Sequence, residues 1–341
     1  MKQISTIGID IAKHIFQIHG ISDDGTVVVR RKLRRSEMLT YFEKLSPCLI
    51  GMEACGSSHY WARELAKFGH DVRLMSPSYV KPYVKRQKND AADAEAICEA
   101  VGRPNMRFVS VKSEDQQGML MLHRARDLLV RQKTALINAL RGHLAEFGIV
   151  ARLGIMGVRE LKAVIEDERV KLSHPARLAL RALAHQLGDL EERIRDLDKE
   201  ILALHEADET SRNLATIPGI GPLTASALTA TITDIRAFQS ARQLSAFLGL
   251  VPRQNSSGGK ERLGHITKAG DGYIRRLLVI GATAVLRFGK KGTTGLARWA
   301  VSLLDKKPFK VVAVALANKI ARLVWVLMTR GECFRGSSVG F

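Results

Sequence analysis

Four acidic residues occupy positions that suggest metal-ion chemistry. Asp10 interrupts the apolar run TIGIDIA, and Glu53 lies near the end of the apolar run CLIGMEAC. A carboxylate buried there without a partner would be unfavourable. Asp90 and Asp93, in KNDAADAEAI, are three residues apart at an expected helix start, so they project in nearly the same direction. Together these carboxylates offer the oxygen ligands that one or two Mg²⁺ ions take beside a phosphodiester.

The chain is strongly basic, which favours a polyanionic partner. It has 341 residues, 53 Lys and Arg against 34 Asp and Glu, and a net charge of +19. Nucleic acid is the first candidate and an anionic membrane surface the second. More than half of the excess lies between residues 252 and 310, where the net charge is +10. This segment is expected to form a surface for the phosphate backbone.

The first hundred residues alternate strand and helix patterns. Strands are expected in ISTIGIDIA, HIFQIHGI, TVVVRRKL, CLIGMEAC and DVRLMS. Helices are expected over residues 36–45 and 58–68 and from near Asp90. Three hairpin-like strands followed by alternating helices and strands predict an α/β domain, residues 1–115, with a mixed sheet covered by helices on both faces.

The middle of the chain, residues 116–208, is expected to form a helical arm. A helix is predicted from Met119 to about Phe147. Further on, apolar residues recur at alternating steps of three and four: Leu180, Leu183, Leu187, Leu190, Ile194, Leu197, Ile201 and Leu204. This seam is typical of a coiled coil or a long antiparallel helix pair. A helix packed inside its own domain would show the same pattern. A coiled-coil arm would offer a means of dimerisation.

The last part, residues 209–341, is predicted to be mainly helical. Its segment IPGIGPLTA places a glycine-containing turn, with Gly219 and Gly221, between two helical stretches. This pattern resembles a helix-hairpin-helix element, whose backbone N–H groups meet a phosphate. An ordinary helix–turn–helix corner is the alternative.

Several other classes of protein are disfavoured. The four cysteines form no close pair, and no His/Cys cluster has zinc-ligand spacing, so a disulfide framework and a structural zinc are not expected. The N-terminus lacks the features of a signal peptide. The apolar stretch VVAVALANKIARLVWVLM is interrupted by Asn318, Lys319 and Arg322, which favours a buried helix over a membrane span. A cytoplasmic protein is expected.

Six motifs in order carry a family resemblance across nearly the whole chain: GIDIAK, GMEACG, KNDAADAEAI, IPGIGPLTA, FLGLVPRQNSSGGKERLGHITKAGD and YIRRLL. The set resembles the DEDD transposases of the insertion-sequence 110 family and its 1111 subgroup. The resemblance implies a ribonuclease-H-like domain similar to the junction resolvase RuvC, with Asp10, Glu53, Asp90 and Asp93 as a Mg²⁺-binding tetrad. It also implies DNA transposition guided by a non-coding bridge RNA, and composite active sites in a homo-oligomer.

The resemblance further implies a serine nucleophile, Ser257, that forms a phosphoserine link to DNA. The adjacent Ser256 is the alternative, because either hydroxyl could be presented by so glycine-rich a loop. A flexible loop that only contacts phosphate would also fit these residues. The expected nucleic-acid contacts are Lys85, Arg86, Lys88, Gly219, Gly221, Arg253, Lys260, Arg262, Lys268, Arg275 and Arg276.

Three other functions fit parts of this pattern. A RuvC-like junction endonuclease would use the same carboxylates with water as the nucleophile, so Ser257→Ala would retain cleavage. A non-catalytic nucleic-acid scaffold would explain the charge and leave the four acids without a purpose. An actin-like kinase would need a glycine-rich phosphate loop after Asp10, where IAKH stands instead.

Overall fold

The computed structural model describes residues 2–85, 89–288 and 294–336. It divides the chain into unit 1 (Met1–Glu114) and unit 2 (Asp115–Phe341). The finer division of the chain into three domains stays a prediction.

Six strands of the described residues form the sheet of unit 1. They are β1 (Thr6–Asp10), β2 (Ile15–Ile21), β3 (Val27–Arg34), β4 (Leu49–Glu53), β5 (Asp71–Met75) and β6 (Phe108–Val109). Their order is β3-β2-β1-β4-β5-β6. β1, β4 and β5 are parallel, whereas β2, β3 and β6 each run antiparallel to a neighbour. The predicted mixed sheet is confirmed, and its architecture is consistent with a ribonuclease-H-like domain.

Helices cover both faces of this sheet, as predicted. They are α1 (Met38–Glu43), α2 (Ser58–Ala66), α3 (Pro77–Val80) and α4 (Asp90–Val101). Ile7 and Ile9 of β1 pack in a core shared with α1 and α2. On the opposite face, Gly8 and Gly51 meet α4, because successive strand residues alternate between faces.

The absence of a side chain at Gly8 and Gly51 lets α4 approach the sheet closely. A Cβ added at Gly8 would lie 2.2 Å from the Ala94 carbonyl oxygen and 2.3 Å from the Cys98 nitrogen. One added at Gly51 would lie 2.7 Å from Cβ of Val101. The Ala94 oxygen and the Cys98 nitrogen are backbone atoms of α4, which cannot move away as the end of a flexible side chain can. Both glycines therefore allow the short distance between α4 and the strands β1 and β4.

Unit 2 begins with a long antiparallel helix pair. Its helices are α5 (Glu114–Ala145), α6 (Ile155–Glu166) and α7 (His174–Ala207). The pairs Lys133–Glu191 and Arg126–Asp198 join α5 to α7 in opposite directions. Leu180 and Leu187 of α7 are buried in a core shared with α5 and α6.

The apolar seam of α7 is thus used largely inside the chain. Of its eight residues, Leu204 alone is exposed, at 37%, and this count is complete because all eight lie in the described part. The structure supports the long antiparallel pair among the predicted alternatives.

The rest of unit 2 surrounds one central helix. Its helices are α8 (Glu209–Ala215), α9 (Pro222–Thr231), α10 (Ala241–Phe247), α11 (Gly272–Phe288), α12 (Gly295–Leu304) and α13 (Phe309–Arg330). Within the described residues, α13 is the one helix long and apolar enough to cross a membrane. Its buried residues, among them Leu316, Ile320 and Val324, lie in the core of this unit. This burial agrees with the predicted buried helix.

A short hairpin interrupts the helices of unit 2. Its strands are β7 (Pro252–Gln254) and β8 (Leu263–Ile266), which pair antiparallel. Residues 252–266 are called the serine hairpin below, because they include Ser256 and Ser257.

Gly8→Ala is expected to destabilise the full chain by about 1 to 3 kcal/mol, because the new methyl group would overlap the α4 backbone. Urea denaturation would measure the loss. Gly102→Ala is the matched control, since a Cβ at this end of α4 has nothing within 4 Å. Equal stability of the two variants would contradict the packing role of Gly8.

Candidate active site and nucleic-acid interface

Asp10 and Glu53 end two neighbouring parallel strands side by side. The register pairs Gly8 with Gly51 and Ile9 with Met52, so the next residues along β1 and β4 are Asp10 and Glu53. Neighbouring strands lie about 4.8 Å apart, and residues in one register row share a face. Both carboxylates therefore belong to the face covered by α4. We call this end of the sheet the carboxylate edge.

The first turn of α4 carries the other two acids towards the same edge. The Asn89 side chain caps the helix by accepting a hydrogen bond from the Ala92 N–H at 2.9 Å. Asp90 and Asp93 follow within the first turn, where the helix dipole favours negative charge.

The direction of α4 follows from its contacts with β1. Cys98 Sγ donates a hydrogen bond to the Thr6 carbonyl at 3.7 Å, whereas Ala94 lies over Gly8. The helix therefore runs opposite to β1, and its N-terminus faces the end of β1 that carries Asp10. The backbone brings all four acids towards one end of the sheet.

The donor set fits Mg²⁺ in its chemistry. Four carboxylates supply hard oxygen ligands, and Mg²⁺ in proteins is commonly held by one or two carboxylates together with substrate phosphate and water. Within the described residues, no three His, Cys, Asp or Glu side chains form a group that could hold a metal ion. The strand register fixes the positions of only two of the four acids, Asp10 and Glu53, which lie side by side.

Three cations that the sequence analysis did not single out share this face. The register continues from Asp10 to Gln17 of β2 and on to Lys32 of β3. Arg30 and Arg34 lie two residues to either side of Lys32, on the same face, and all three are exposed. We call them the cationic row. Their signal was the spacing of three basic residues at alternate positions in VVVRRKLR.

The basic run before α4 is partly neutralised. Lys85 Nζ lies 3.0 Å from Glu99 and 3.6 Å from Glu95, and the hydrogen bond with Glu99 raises the pKa of Lys85. Glu95 also pairs with Arg30 at 3.6 Å. The predicted contacts Arg86 and Lys88 lie outside the described residues.

The serine hairpin gives Ser256 and Ser257 different surroundings. Gly258 and Gly259 have φ values of 56° and 75°, and the Lys260 N–H donates to the Ser257 carbonyl at 3.1 Å. Two positive φ angles in a two-residue turn define a type I′ hairpin, which favours glycine at both positions. The serine-containing segment, which the sequence suggested was a flexible glycine-rich loop, therefore forms a defined β-turn.

The hydroxyl groups of Ser256 and Ser257 have different hydrogen-bond partners. Ser256 Oγ accepts a hydrogen bond from the Arg262 N–H at 3.2 Å and so ties one strand of the hairpin to the other. Ser257 is exposed, and among the described residues its hydroxyl makes no hydrogen bond. Both serines are exposed, and the choice of Ser257 over Ser256 as the nucleophile stays a prediction.

The predicted basic contacts of unit 2 fall into two groups. The first group is exposed around the serine hairpin: Arg253, Lys260, Arg262 and Lys268. The second group is engaged inside the unit. Arg275 donates to the carbonyl groups of Leu248 and Ala269, at 3.2 and 2.7 Å. Arg276 pairs with Asp127 and lies over the Tyr273 ring. A phosphate role for either arginine stays a prediction.

The glycine turn before α9 packs closely against α11. Gly219 has a φ of 93°, and a Cβ added at Gly281 of α11 would lie 1.8 Å from the Gly219 carbonyl oxygen. Gly221, the N-cap of α9, is exposed. The close packing explains why Gly281 has no side chain, and the positive φ explains the glycine at position 219. Phosphate binding by the turn stays a prediction.

A buried histidine links three helices of unit 2. His123 of α5 lies 3.1 Å from the Tyr273 hydroxyl of α11 and 3.2 Å from the Ser226 hydroxyl of α9. Burial lowers the pKa of His123 from 6.5 to about 4, and Arg126 adds to the effect. The ring is therefore neutral at pH 7, and it holds together the helices that border the glycine turn.

Paired carboxylates at the end of a mixed sheet, together with a strongly basic second unit, define a class of enzyme that acts on nucleic-acid phosphodiesters. Comparison with known proteins is more specific. Residues 7–149 match a DEDD transposase family and residues 211–295 match the transposase IS116/IS110/IS902 family. The chain belongs to the IS110 family of DEDD transposases, which confirms the resemblance seen in its motifs.

Full-length relatives support this assignment. The chain is 49% identical to a probable family 20 transposase of Pseudomonas aeruginosa, over 97% of this chain and 99% of the relative. It is 42% identical to the transposase for insertion sequence element IS1111A of Coxiella burnetii, over 98% and 92%. It is 41% identical to the transposase for insertion sequence element IS1328 of Yersinia enterocolitica, over 98% and 99%.

The buried neutral state of His123 predicts acid sensitivity. Between pH 6.5 and about 4 the unfolded chain binds a proton at this residue that the folded chain excludes, so stability is full above pH 6.5 and falls with pH. The loss should reach about 1 to 2 kcal/mol at pH 5.

Urea unfolding at pH 7.5 and pH 5, followed by tryptophan fluorescence, would measure this loss. The comparison variant is His123→Gln, which keeps polar atoms and does not titrate. An equal acid shift in the variant and the original chain would assign the effect to other groups.

Proposed function

We propose that this transposase excises and inserts its own insertion sequence by Mg²⁺-dependent DNA cleavage and rejoining. The observation that carries the proposal is the side-by-side placement of Asp10 and Glu53 at the ends of β1 and β4, in a chain of the DEDD transposase family. A cytoplasmic location follows from action on bacterial DNA.

In this proposal Asp10, Glu53, Asp90 and Asp93 hold Mg²⁺. The ion supplies Lewis-acid polarisation of a phosphate oxygen when it is bound. The carboxylates orient the scissile phosphate at the carboxylate edge, and the cationic row binds flanking phosphates of the same strand. These cations also offset the repulsion between four acids and a polyanion.

Ser257 is proposed as the nucleophile. Its Oγ attacks the scissile phosphorus, the bond from phosphorus to one deoxyribose oxygen breaks, and that oxygen leaves as a hydroxyl after taking up a proton. The serine loses its proton in forming the phosphodiester link to the protein. A hydroxyl of a different strand then attacks the phosphoserine, and Oγ leaves and regains a proton. The exposed Ser257 hydroxyl and its turn before Lys260 support this assignment.

Ser257→Ala should abolish a covalent protein–DNA adduct, because the proposed nucleophilic hydroxyl is removed. The full chain is incubated with labelled element-end DNA and Mg²⁺, and the adduct is resolved on a denaturing gel. Ser256→Ala is the matched control and should retain the adduct, since Ser256 Oγ binds the Arg262 N–H. Undiminished cleavage without an adduct in Ser257→Ala would favour the alternative, a RuvC-like junction endonuclease that uses water.

Asp10→Asn in the same assay tests the carboxylates. Cleavage should fall by at least 100-fold while DNA binding persists, because one metal-ligand charge is lost and the fold of the strand end is kept. The matched control is Asp71→Asn, at the opposite end of the sheet, which should cleave normally. Full cleavage by Asp10→Asn would show that Asp10 does not hold a catalytic metal ion, whereas loss of cleavage with intact DNA binding would exclude a non-catalytic scaffold.

A structured non-coding bridge RNA is proposed as a second nucleic-acid partner. The support is the family membership together with a net charge of +19. The same assay with and without RNA transcribed from the element separates guided joining from unguided cleavage. Joining with unchanged target preference in the absence of RNA would remove the guide from the proposal.

Self-association is proposed at the tip of the helical arm. The connection between α5 and α6 and the start of α6 expose apolar side chains: Phe147, Val150, Leu153, Ile155 and Met156. Val150 and Leu153 are 85% and 87% exposed, and such a patch favours burial against a second copy.

Leu153→Glu should therefore shift the full chain from oligomer to monomer in sedimentation equilibrium. Gln186→Glu introduces the same charge on an exposed polar position of α7 and should leave the assembly unchanged. An assembly equally resistant to both substitutions would place the interface elsewhere.

A further inference from the structure

A cleft of about 770 Å³ opens in unit 1 between the start of β2, the end of β3 and the helices α1 and α2. Its lining includes two arginines, Arg34 and Arg35, and two aromatic side chains, Tyr60 and Trp61, together with His14, Ile15, Ser36 and Leu39. The volume is in the range of sites that hold a small organic ligand. Of its lining residues, Arg34 alone belongs to the cationic row, and the proposed cleavage chemistry assigns no role to the aromatic side chains of the cleft.

The cleft lies at the same end of the sheet as Asp10. β2 runs antiparallel to β1, so its first residue, Ile15, is at the end where β1 finishes. Asp10 pairs with Gln17 of β2. Ile15 precedes Gln17 by two residues and therefore lies just beyond the end of β1. Standard sheet dimensions place the Asp10 and Ile15 backbones about 8 Å apart. The cleft, lined by Leu39 and Trp61, lies on the face that α1 and α2 cover, whereas Asp10 lies on the face that α4 covers, so a DNA strand bound at both places would cross this end of the sheet.

The aromatic side chains form a rigid stacking platform. Trp61 is only 3% exposed, and its ring is fixed edge-on by Phe16 and by Tyr60, with ring centroids 5.2 and 5.1 Å apart. Tyr60 is 41% exposed and presents its ring to the opening. The Arg35 guanidinium lies 5.1 Å from the Trp61 ring centroid. A planar π-face and a stacked guanidinium are what nucleobases stack upon.

The charges of the cleft favour an anionic ligand. Arg34 and Arg35 are exposed and both line the cleft. The nearest acid along the chain, Glu37, accepts a hydrogen bond from the Arg34 N–H at 2.7 Å and so is already engaged. A base that enters the cleft thus finds aromatic surface, while its flanking phosphate finds two guanidinium groups.

We propose that this cleft binds an unpaired base of the DNA strand whose phosphate lies at Asp10 and Glu53. This inference rests on the proposed function and assigns the cleft as a subsite of the same strand. The base must be unpaired, because stacking on Tyr60 requires a face that a continuous duplex hides. The enzyme would then prefer opened or branched DNA to an uninterrupted duplex.

The test is DNA binding by the full chain without divalent cations, so that cleavage plays no part. Fluorescence anisotropy compares a labelled single-stranded oligonucleotide with a blunt duplex of the same sequence. Tyr60→Ala should weaken single-strand binding about tenfold and leave duplex binding unchanged, because one base-stacking contact is lost. Tyr60→Phe keeps the ring and should bind normally. Tyr79→Ala, another exposed tyrosine of unit 1 outside the cleft, is the matched control.

Arg35→Ala should lower the salt dependence of single-strand binding by about one phosphate contact, a change of roughly 0.7 in the slope of log K against log salt. An oligonucleotide with a single 5-iodouracil should photocrosslink to the peptide that contains Tyr60. Unchanged binding by Tyr60→Ala, or a crosslink confined to other peptides, would overturn the proposal. A loss seen with an RNA oligonucleotide and not with DNA would overturn the assignment to DNA.

The outcome for the cleft is separable from that for the proposed function. Normal adduct formation with unaltered single-strand binding in Tyr60→Ala would remove the cleft and keep the transposase chemistry. Full cleavage by Asp10→Asn would remove the chemistry, whatever the binding data show.

Discussion

The close approach of α4 to the sheet is the contact on which the candidate active site depends. Two glycines in one register row, Gly8 and Gly51, leave room for helix backbone and side chain directly above β1 and β4. Each stands two residues before an acid, Asp10 or Glu53, so the helix and the carboxylates share a face. The same packing fixes the direction of α4 and therefore the end of the sheet to which its acidic first turn belongs.

The charges of unit 1 are arranged so that a polyanion can bind close to the acidic carboxylate edge. The acids are concentrated at the carboxylate edge, whereas Arg30, Lys32 and Arg34 follow on the outermost strand of the same face. Exposed phosphate-binding cations gain affinity by releasing counterions, and this gain does not require them to touch the reacting atoms. The cationic row can therefore hold a strand in place, while the carboxylates orient a single phosphate.

The sequence predicted those parts of the fold whose signal is local. The first five strands of unit 1 and the helix start at Asp90 follow from residue alternation, turn positions and the residues at the helix start. β6 and the serine hairpin were missed, because strands of two to four residues are too short to show alternation, and Pro252–Gln254 is exposed throughout. The heptads of α7 could not reveal their partner, since a stripe of leucines packs equally well against the same chain or a second copy.

The two serines of the hairpin also show what the sequence alone could not predict. In the sequence, Ser256 and Ser257 are equivalent hydroxyl groups before two glycines. In the hairpin they are inequivalent, because the type I′ turn at Gly258 and Gly259 fixes the register and gives Ser256 Oγ the Arg262 N–H. Ser256 Oγ shares one lone pair with the Arg262 N–H, whereas Ser257 Oγ makes no hydrogen bond among the described residues. The turn geometry thus gives the two hydroxyl groups different surroundings, which the sequence alone does not reveal.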